Sequence, residues 1–416
     1  MMYIKNRNDV LKQMDNQSFA CFFSGKSPVR TGDQTYPFEV NKNFYYLTGI
    51  DQENVALVMF KGANIQRSFL FLEVTDPQMA LWVGEGLSKV EAKQISGVDE
   101  VFDRKDLNSV LSRFLQDSRA AIFGPMNYLY LDLDRRSIES PDTESEKFGN
   151  DMKRLYPHLL IGSLHPYLGE LRSIKNDQEV NITKEAIEIT RKGIESLMTH
   201  AKASIKEYQL EAYYHFVLNS NGVTPSFNTI AASGKNATVL HYENNDAVIE
   251  NDSLILFDLG VRKDQYCSDI SRTFPVSGVF TPRQKAYYEL VLEANKKSIE
   301  MLKPGVTFQQ FNEFGKQILA KGLVKMGKIN DESEVTKYYY HSLGHFLGLD
   351  VHDVGNYTKP FEKGQILTVE PGLYIADEKI GIRIEDNILL TEDGHINLSE
   401  SIIKEVCDIE NFMKKH

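Results

Sequence analysis

Three histidines lie close together towards the C-terminal end of this 416-residue chain. They are His341, His345 and His352, so three of the ten histidines fall within one segment of twelve residues. An imidazole nitrogen can bind a divalent metal, and it can also polarise a substrate carbonyl. The density of histidine therefore indicates a chemical site, although any one of the three could instead satisfy a loop carbonyl.

Four acidic residues accompany the histidines, and each stands in an apolar, strand-like setting. Asp258 and Asp269 lie upstream of the cluster, and Glu370 and Glu385 lie downstream. Burying four carboxylates without a cation would be very costly, whereas a pair of divalent metals can share several carboxylates. A single acid of this kind is usually an exposed residue or the end of a hairpin, but the joint pattern predicts a metal site.

The two aspartates are separated by a turn-like segment, Val261–Asp264. A hairpin folded there would place Asp258 and Asp269 on neighbouring strands, where facing side chains are about 5 Å apart. That distance suits two carboxylates that share a pair of metals, and Glu370 and Glu385 repeat the arrangement.

The histidine segment differs from the zinc-binding helix of many peptidases. His341 and His345 have the i, i+4 spacing, but Gly344 and Gly348 disfavour a helix. In addition, no glutamate follows His341 to make the HExxH motif. The sequence therefore argues against a zincin-type helix.

The composition is that of a soluble globular protein, with 42% hydrophobic and 25% charged residues. A net charge of −11 argues against nucleic acid as a partner, because phosphate binding requires a basic surface. No stretch approaches the ~20 apolar residues of a membrane span, and Met1–Met14 lacks the apolar core of a secretory signal. Three widely spaced cysteines without a CxxC pattern predict a cytoplasmic protein.

A chain of this length is expected to form two domains, and we place them at residues 1–172 and 173–416. The first alternates strand-like and helix-like segments, which favours an α/β layer domain. Its predicted strands are Ala20–Phe23, Phe44–Leu47, Val55–Phe60, Phe69–Val74 and Ala120–Phe123, and its predicted helices are Asp106–Leu115 and Ser145–Tyr156.

The second domain groups its helices and strands in blocks, which favours an α+β fold with an antiparallel sheet. A long helical pattern runs through Met198 with Asp177 as the predicted N-cap. Further helices are predicted at Glu207–Leu218, Pro282–Met301 and Phe308–Met326. Strands are predicted at Asn228–Ala232, Ser253–Gly260, Gln265–Phe274, Gln365–Val369, Leu373–Ala376 and Gly381–Leu390.

The spacing of one histidine and four acids resembles the ligand set of the pita-bread metallopeptidases, a family that includes methionine aminopeptidase, prolidase and aminopeptidase P. The five residues, at intervals of 11, 76, 25 and 15, are Asp258, Asp269, His345, Glu370 and Glu385. The two-domain layout and the run Gly348-Leu-Asp-Val-His-Asp-Val-Gly are most similar to aminopeptidase P. One departure is Ser342, where glycine often stands in the family, but this position supplies no ligand.

The resemblance implies a site for two divalent metal ions. Asp269 and Glu385 would bridge them, Asp258 would bind one, and His345 with Glu370 would bind the other. Two metals held in this way acidify a shared water. A donor set of one histidine and four carboxylates is hard and rich in oxygen, so Mn²⁺ is the expected metal.

The resemblance also implies the residues that act on the substrate. Glu370 would accept the proton of the attacking water. His352 and His341 would orient the scissile carbonyl and stabilise the tetrahedral intermediate. His241 would line the site, although taken alone such a histidine is more often a buried structural residue.

Two further residues are expected to support the ligands. Arg383 lies two positions before Glu385, and it would brace a ligand carboxylate. Tyr374, close to Glu370 in the sequence, could do similar work or simply pack against its neighbours.

The expected substrates are short peptides with proline in the second position. An X-Pro bond has no amide N–H and its ring fixes φ, so cleavage before proline requires a dedicated pocket, which the resemblance implies. Three alternatives are a prolidase restricted to X-Pro dipeptides, a metal-free creatinase-like hydrolase, and a binding module that has lost catalysis. The intact ligand set and the lack of added basic tails argue against the last two.

Trp82, the only tryptophan, lies in the segment Ala80–Glu85 of the N-terminal domain. It could be a packed core aromatic. In relatives of the aminopeptidase P type, however, a tryptophan in a similar segment reaches the active site of a neighbouring subunit, and large aromatics often anchor such contacts. The resemblance therefore implies a homo-oligomer, a dimer or tetramer, in which the N-terminal domain serves assembly and substrate access.

Overall fold

The computed structural model of the protein describes residues 2–116, 122–135 and 137–415. The chain separates into two compact units, Met1–Leu171 and Arg172–His416. Each unit has its own hydrophobic core. Among the described residues, no helix is both long enough and apolar enough to cross a membrane.

The N-terminal unit is built on a mixed β-sheet with helices. Its elements are α1 (Met2–Gln13), β1 (Ser18–Phe23), β2 (Val29–Thr31), β3 (Gln34–Thr35), α2 (Lys42–Thr48), β4 (Ala56–Lys61), β5 (Gln66–Leu72), α3 (Pro77–Val83), α4 (Lys89–Ser96), β6 (Glu100–Asp103), α5 (Leu107–Phe114), β7 (Tyr128–Leu131), α6 (Glu144–Leu155), β8 (Leu160–Ser163) and α7 (His165–Ser173), whose last two residues belong to the C-terminal unit. In the described residues the strand order is β6-β5-β4-β1-β7-β8, with parallel pairs at β5–β6, β1–β7 and β7–β8. This is the α/β arrangement that the alternation of segments predicts.

The predicted strand Phe44–Leu47 is wrong, because these residues belong to helix α2. The side chain of Asn41 accepts the Phe44 N–H at 2.8 Å, and Gly49 ends the helix with φ 69°. The aromatic run resembles a strand in composition, but the two caps favour a buried helix. The predicted strand at 120–123 falls partly on residues 120 and 121, which lie outside the described residues.

The C-terminal unit combines antiparallel strands with four long helices. Its elements are α8 (Asp177–His200), α9 (Glu207–Ser220), β9 (Thr224–Pro225), β10 (Ile230–Ser233), β11 (Leu254–Leu259), β12 (Val261–Lys263), β13 (Tyr266–Cys267), β14 (Ile270–Pro275), α10 (Pro282–Glu300), α11 (Phe308–Lys325), β15 (Ile366–Val369), β16 (Gly372–Ile375), β17 (Ile380–Arg383), β18 (Asp386–Leu390), β19 (His395–Asn397) and α12 (Val406–Lys415). Every described strand pair of this unit is antiparallel, as predicted.

Helix α8 begins one residue earlier than the predicted cap implies. Asn176 is the N-cap, and its side chain accepts the N–H groups of Gln178 and Glu179. Glu179 in turn accepts the Asn176 N–H, so the two residues form a capping box. Asp177 is therefore the first helical residue and not the N-cap.

The predicted hairpin between the two aspartates exists, but its turn and register differ from the prediction. The turn is centred on Asp264 and Gln265, which both have positive φ, as two-residue hairpins often require. Strand β11 pairs with β14 so that Asp258 faces Ser271, and Asp269 lies just before β14. The chain between them forms the separate β12–β13 pair, which shifts Asp269 away from Asp258 along the sheet.

The long predicted strand Gly381–Leu390 is in fact two strands, β17 and β18, interrupted at Ile384 and Glu385. Strand β17 pairs with β16, whereas β18 lies between β15 and β19. The break lets the chain change sheets at the position of Glu385. The predicted acid therefore lies in an irregular segment between two small sheets.

Candidate metal centre

A cavity of about 320 Å³ in the C-terminal unit gathers the residues that the sequence singles out for the site. These are Asp258, Asp269, Glu370, Glu385, His241, His341, His345, His352 and Arg383. The acids come from the ends of β11 and β15 and from the segments that precede β14 and β18. The antiparallel pairs β11–β14 and β15–β18 thus each supply two carboxylates to one space.

His345 is held against strand β15 with one nitrogen directed at the acids. Its backbone exchanges hydrogen bonds with Thr368, and its Nδ1 lies 2.9 Å from the carbonyl of Phe346. Because a carbonyl only accepts, Nδ1 donates and Nε2 faces the cavity. Nε2 lies 3.3 Å from Asp269 Oδ2 and 3.5 Å from Glu370 Oε1.

The neighbouring Gly344 is required by this close approach. A Cβ at this position would lie 2.1 Å from the carbonyl oxygen of Thr368. The segment from His341 to His352 contains no helix, in agreement with the expectation drawn from Gly344 and Gly348. The histidines are therefore placed by packing of an irregular segment on β15.

Ser271 links two of the acids, and sequence reasoning gave it no role. Its hydroxyl lies 3.0 Å from Asp258 Oδ1 and 2.8 Å from Glu385 Oε2, so it can donate to either. It also accepts the Arg383 Nε–H at 2.7 Å. The available signal was its position two residues after Asp269, since alternate residues of an extended segment share a face.

Arg383 joins a carboxylate to a tyrosine and a histidine. Its Nη2 donates to Asp258 Oδ2 at 2.5 Å, and its Nη1 donates to the Tyr374 hydroxyl at 3.1 Å. The Nδ1 of His341 lies 2.7 Å from the Ser342 carbonyl and must donate, so its Nε2 accepts the Tyr374 O–H at 2.8 Å. Tyr374 is thus a hydrogen-bonding member of the site.

Arg272, which is completely buried, fixes the backbone at Glu385 from the opposite face of β14. Its Nη1 donates to the Glu385 carbonyl at 2.5 Å, and its Nη2 donates to Asp386 Oδ1 at 2.9 Å. Lys404 forms a second ion pair with Asp386. Sequence reasoning assigned no role to these three residues.

The cavity carries an excess of negative charge, which Arg383 and His345 relieve only in part. Burial raises the pKa of Asp269 to about 6 and that of Glu370 to about 7. The pKa of Glu385 is raised well above its usual range by burial and by the charge of Asp269. Burial lowers the pKa of His345, but the hydrogen bond to Asp269 and the charge of Glu370 raise it to about 9. The site therefore favours positive charge at its centre.

The residues present fit a divalent metal centre. Ligand atoms of Asp269, His345 and Glu385 all lie within 4.8 Å of one another. Among the described residues, Glu385 Oε1 is a buried oxygen without a hydrogen-bond partner. A buried carboxylate oxygen is seldom left unpaired, and an imidazole nitrogen with several carboxylates is a donor set for first-row divalent ions.

His352 and His241 lie at the open side of the cavity. The ring of His352 is 4.3 Å from the ring of His345, and burial together with the charge of His345 lowers the pKa of His352. His241 follows the short helical turn Gly234–Thr238 and is exposed. Burial, followed by the charge of Arg383, lowers the pKa of His341 to about 4.

Comparisons with known proteins return metallopeptidases by sequence and by structure. Residues 181–392 match the model of metallopeptidase family M24, and residues 3–123 match that of the aminopeptidase P N-terminal domain. The Xaa-Pro aminopeptidase of Haemophilus influenzae is 35% identical over 429 residues, which cover 98% of this chain and 96% of that protein. A Bacillus anthracis structure provisionally described as aminopeptidase P is 45% identical with a TM-score of 0.96, over 100% of this chain and 98% of that one. The structure of Escherichia coli aminopeptidase P with the inhibitor Pro-Leu is 31% identical with a TM-score of 0.90, and the match covers 100% of this chain and 98% of that one.

Proposed function

Because the chain belongs to metallopeptidase family M24, we propose that it is an Xaa-Pro aminopeptidase, which releases the first residue from peptides with proline in the second position. The observation that carries this proposal is one cavity that gathers four acids and one histidine at the family's spacing, in a chain that matches relatives of this activity over nearly its full length. The bound inhibitor of the Escherichia coli relative, Pro-Leu, is what remains of an Xaa-Pro-Leu peptide after its first residue leaves. This favours an aminopeptidase over a prolidase.

The proposed metal ligands are five residues that line this cavity, namely Asp258, Asp269, His345, Glu370 and Glu385. Asp269 and Glu385 would hold both ions, Asp258 one of them, and His345 with Glu370 the other. Two divalent ions bound there would supply Lewis acidity, and they would lower the pKa of a water bound to them towards neutrality. Mn²⁺ is the proposed ion, because the donor set contains no sulfur and is mostly oxygen.

Glu370 is the proposed proton carrier. Its carboxylate accepts the proton of the attacking water and can pass it to the proline nitrogen, which leaves as an amine. The carboxylate is half-buried at the cavity wall, and Thr368 Oγ1 lies 3.3 Å from its Oε1.

The proposed substrate-binding histidines are His352, His341 and His241, which line the same cavity. A ring N–H of His352 donates to the carbonyl oxygen of the scissile bond and stabilises the charge that develops there. Arg383 and Tyr374 hold Asp258 and His341 in place through the hydrogen bonds described above. These side chains come from separate elements, so the substrate is oriented by a preformed wall.

The proposed function predicts a strong preference for tripeptides with a central proline. We expect Ala-Pro-Leu to lose its alanine with a kcat/KM at least ~10²-fold above those of Ala-Pro and Ala-Ala-Leu, because a site built for one substrate loses binding contacts with the others. The measurement is alanine release from each peptide at matched metal concentration. Faster cleavage of Ala-Pro would indicate a prolidase, and no cleavage of any proline peptide would refute the proposal.

We also propose a homo-oligomer in which the N-terminal unit contributes to assembly and substrate access. Trp82 is 86% exposed, and its neighbours Leu81 and Val83 are 88% and 71% exposed. None of the residues of α3 is buried, so a role for Trp82 as a packed core aromatic is wrong. An exposed apolar segment of this kind suits a contact with a second copy.

This proposal predicts that Trp82→Ala weakens substrate binding more than it lowers stability. We expect KM to rise about tenfold, because aromatic anchors dominate such contacts, while Tm falls by no more than ~2 °C. Ile138→Ala is the matched control, since Ile138 is 95% exposed in the same unit. A wild-type protein that is monomeric and fully active in dilute solution, as judged by light scattering and assay, would rule the proposal out.

A cytoplasmic location is proposed from the cysteines. Cys21 and Cys267 are buried and Cys407 is exposed, and their wide spacing lacks the framework of a secreted disulfide protein. Recovery of the activity in the cytosolic fraction of lysed cells would support this location.

A further inference from the structure

A buried cluster of ionic side chains lies beside the metal cavity and takes no part in the chemistry described above. It consists of Arg172, Lys175, Asp350 and Asp353, all in the C-terminal unit. The side chains of Arg172, Lys175 and Asp353 are at most 3% exposed, whereas that of Asp350 is 43% exposed. Two cations and two anions make the cluster neutral as a whole.

Asp353 is the centre of the cluster. Its Oδ1 accepts Arg172 Nη2 at 2.6 Å, and its Oδ2 accepts Lys175 Nζ at 2.9 Å. The same Arg172 nitrogen donates to Asp350 Oδ2 at 2.7 Å. Because each carboxylate oxygen of Asp353 has its own cation, the carboxylate cannot rotate without breaking an ion pair.

The segment that carries Asp353 also carries His352. Between His345 and Tyr357 it forms no helix or strand apart from a single bridge between Phe346 and Leu367. The Asp353 N–H donates to the Phe346 carbonyl at 2.9 Å. This hydrogen bond closes a loop of residues 346–353 that contains His352. A loop without a regular hydrogen-bond ladder depends on side-chain contacts of this kind for its conformation.

Gly348 shows how tightly the loop packs on the ion pair. A Cβ at this position would lie 2.2 Å from Asp353 Oδ2 and 2.8 Å from Lys175 Cε. The chain at Gly348 therefore touches the carboxylate and the lysine stem directly. A methyl group there would displace the ion pair without removing any charge.

We propose that Arg172 and Lys175 are positioning residues. Their ion pairs with Asp353 hold the neighbouring His352 towards the cavity. The inference rests on the proposed function, because it assumes that His352 contacts the substrate. A buried ion cluster is weak support for stability, since apolar residues of similar size often serve as well. What this cluster contributes instead is a fixed orientation of the backbone at Asp353, and therefore of the preceding residue, His352.

The test uses Arg172→Met and Gly348→Ala, each made in the wild type and in a His352→Ala background. Arg172→Met removes one of the two cations, and Gly348→Ala shifts the ion pair with every charge retained, so one variant remains informative where the other fails to fold. Arg7→Met is the matched control, because Arg7 and Arg172 are both 3% exposed. Arg7 donates to the Leu47 and Gly97 carbonyls in the N-terminal unit.

We expect each of the two variants to lower kcat on Ala-Pro-Leu by about tenfold, because a misplacement of around 1 Å is already costly. KM should stay within ~threefold of the wild-type value, with metal content unchanged. In the His352→Ala background the same changes should alter kcat less than ~twofold, because residues that act through one another are not additive. Arg7→Met should alter kcat less than ~twofold in both backgrounds.

Labelling of histidines with diethyl pyrocarbonate, followed by mass spectrometry, tests the position of His352 without any peptidase activity. His352 should react faster in both variants than in the wild type, with the exposed His200 and the half-buried His215 as internal references. Equal losses of kcat in both backgrounds, loss of metal, or unchanged labelling of His352 would overturn the proposal. If the wild type fails to cleave Ala-Pro-Leu, the proposed function fails, and the labelling result still decides whether the ion cluster positions His352.

Discussion

Removal of divalent metal is expected to abolish peptidase activity, with a loss of at least ~10³-fold, because several kcal/mol of transition-state stabilisation would be lost with the ions. Glu385 Oε1 is a buried oxygen without a partner among the described residues, and three buried ligand atoms lie within 4.8 Å of one another. We expect Mn²⁺ to restore the activity best. The measurement is Ala-Pro-Leu cleavage after dialysis against a chelator and after addition of Mn²⁺, Co²⁺, Zn²⁺ or Mg²⁺.

Metal content by mass spectrometry provides the control for this experiment. Two ions per chain in the active protein, and none after dialysis, would link the loss of activity to the loss of metal. Thermal stability should rise on metal addition, because an ion that binds only the folded state stabilises it. Full activity in protein shown to contain no metal would overturn the proposed mechanism.

His352→Ala is expected to reduce turnover by roughly 10²–10³-fold while metal content stays near the wild-type level. The ring of His352 lies 4.3 Å from that of His345 at the open side of the cavity. It faces the substrate in the proposed mechanism, and removal of one hydrogen-bond donor to a developing oxyanion typically has this effect. The measurement is kcat on Ala-Pro-Leu together with metal content.

His345→Ala is the informative counterpart, because Nε2 of His345 is directed at Asp269 and Glu370. This variant should lose metal as well as activity. His215→Ala on helix α9 is the control, since His215 pairs with Glu211 at the i, i+4 spacing and its ring meets that of Tyr214 edge to face. Loss of metal in His352→Ala would show that His352 is a ligand and would reject its proposed role.

The acids and histidines of the cavity could be predicted from sequence because their types are rare in apolar surroundings. Asp258, for example, stands in a strand whose other residues are all buried, so its carboxylate indicates a functional role. The supporting residues could not be found in this way. Ser271 and Arg272 are ordinary strand residues until the register of β11 and β14 is known.

Local structure was predicted where the pattern is long and failed where short-range contacts decide. The helices α9, α10 and α11 follow clear periodic patterns and lie within about two residues of their predicted ends. The aromatic run in α2 was assigned to a strand, because the caps Asn41 and Gly49 lie outside the run. The interruption at Glu385 depends on a buried arginine from another strand, which no local pattern reports.

The cavity is closed by contacts between residues that lie far apart in the chain. Ser271 and Glu385 are 114 positions apart, and Arg172 and Asp353 are 181 positions apart. Contacts of such long range form late in folding, because the entropy of closing the loop must be overcome first. On the ribosome, where chains grow at ~5–20 residues per second, the N-terminal unit can fold well before Glu385 emerges. A nascent chain that stops before β18 would therefore carry the N-terminal unit and no peptidase site, so the enzyme gains activity only after Glu385 and β18 have been synthesised.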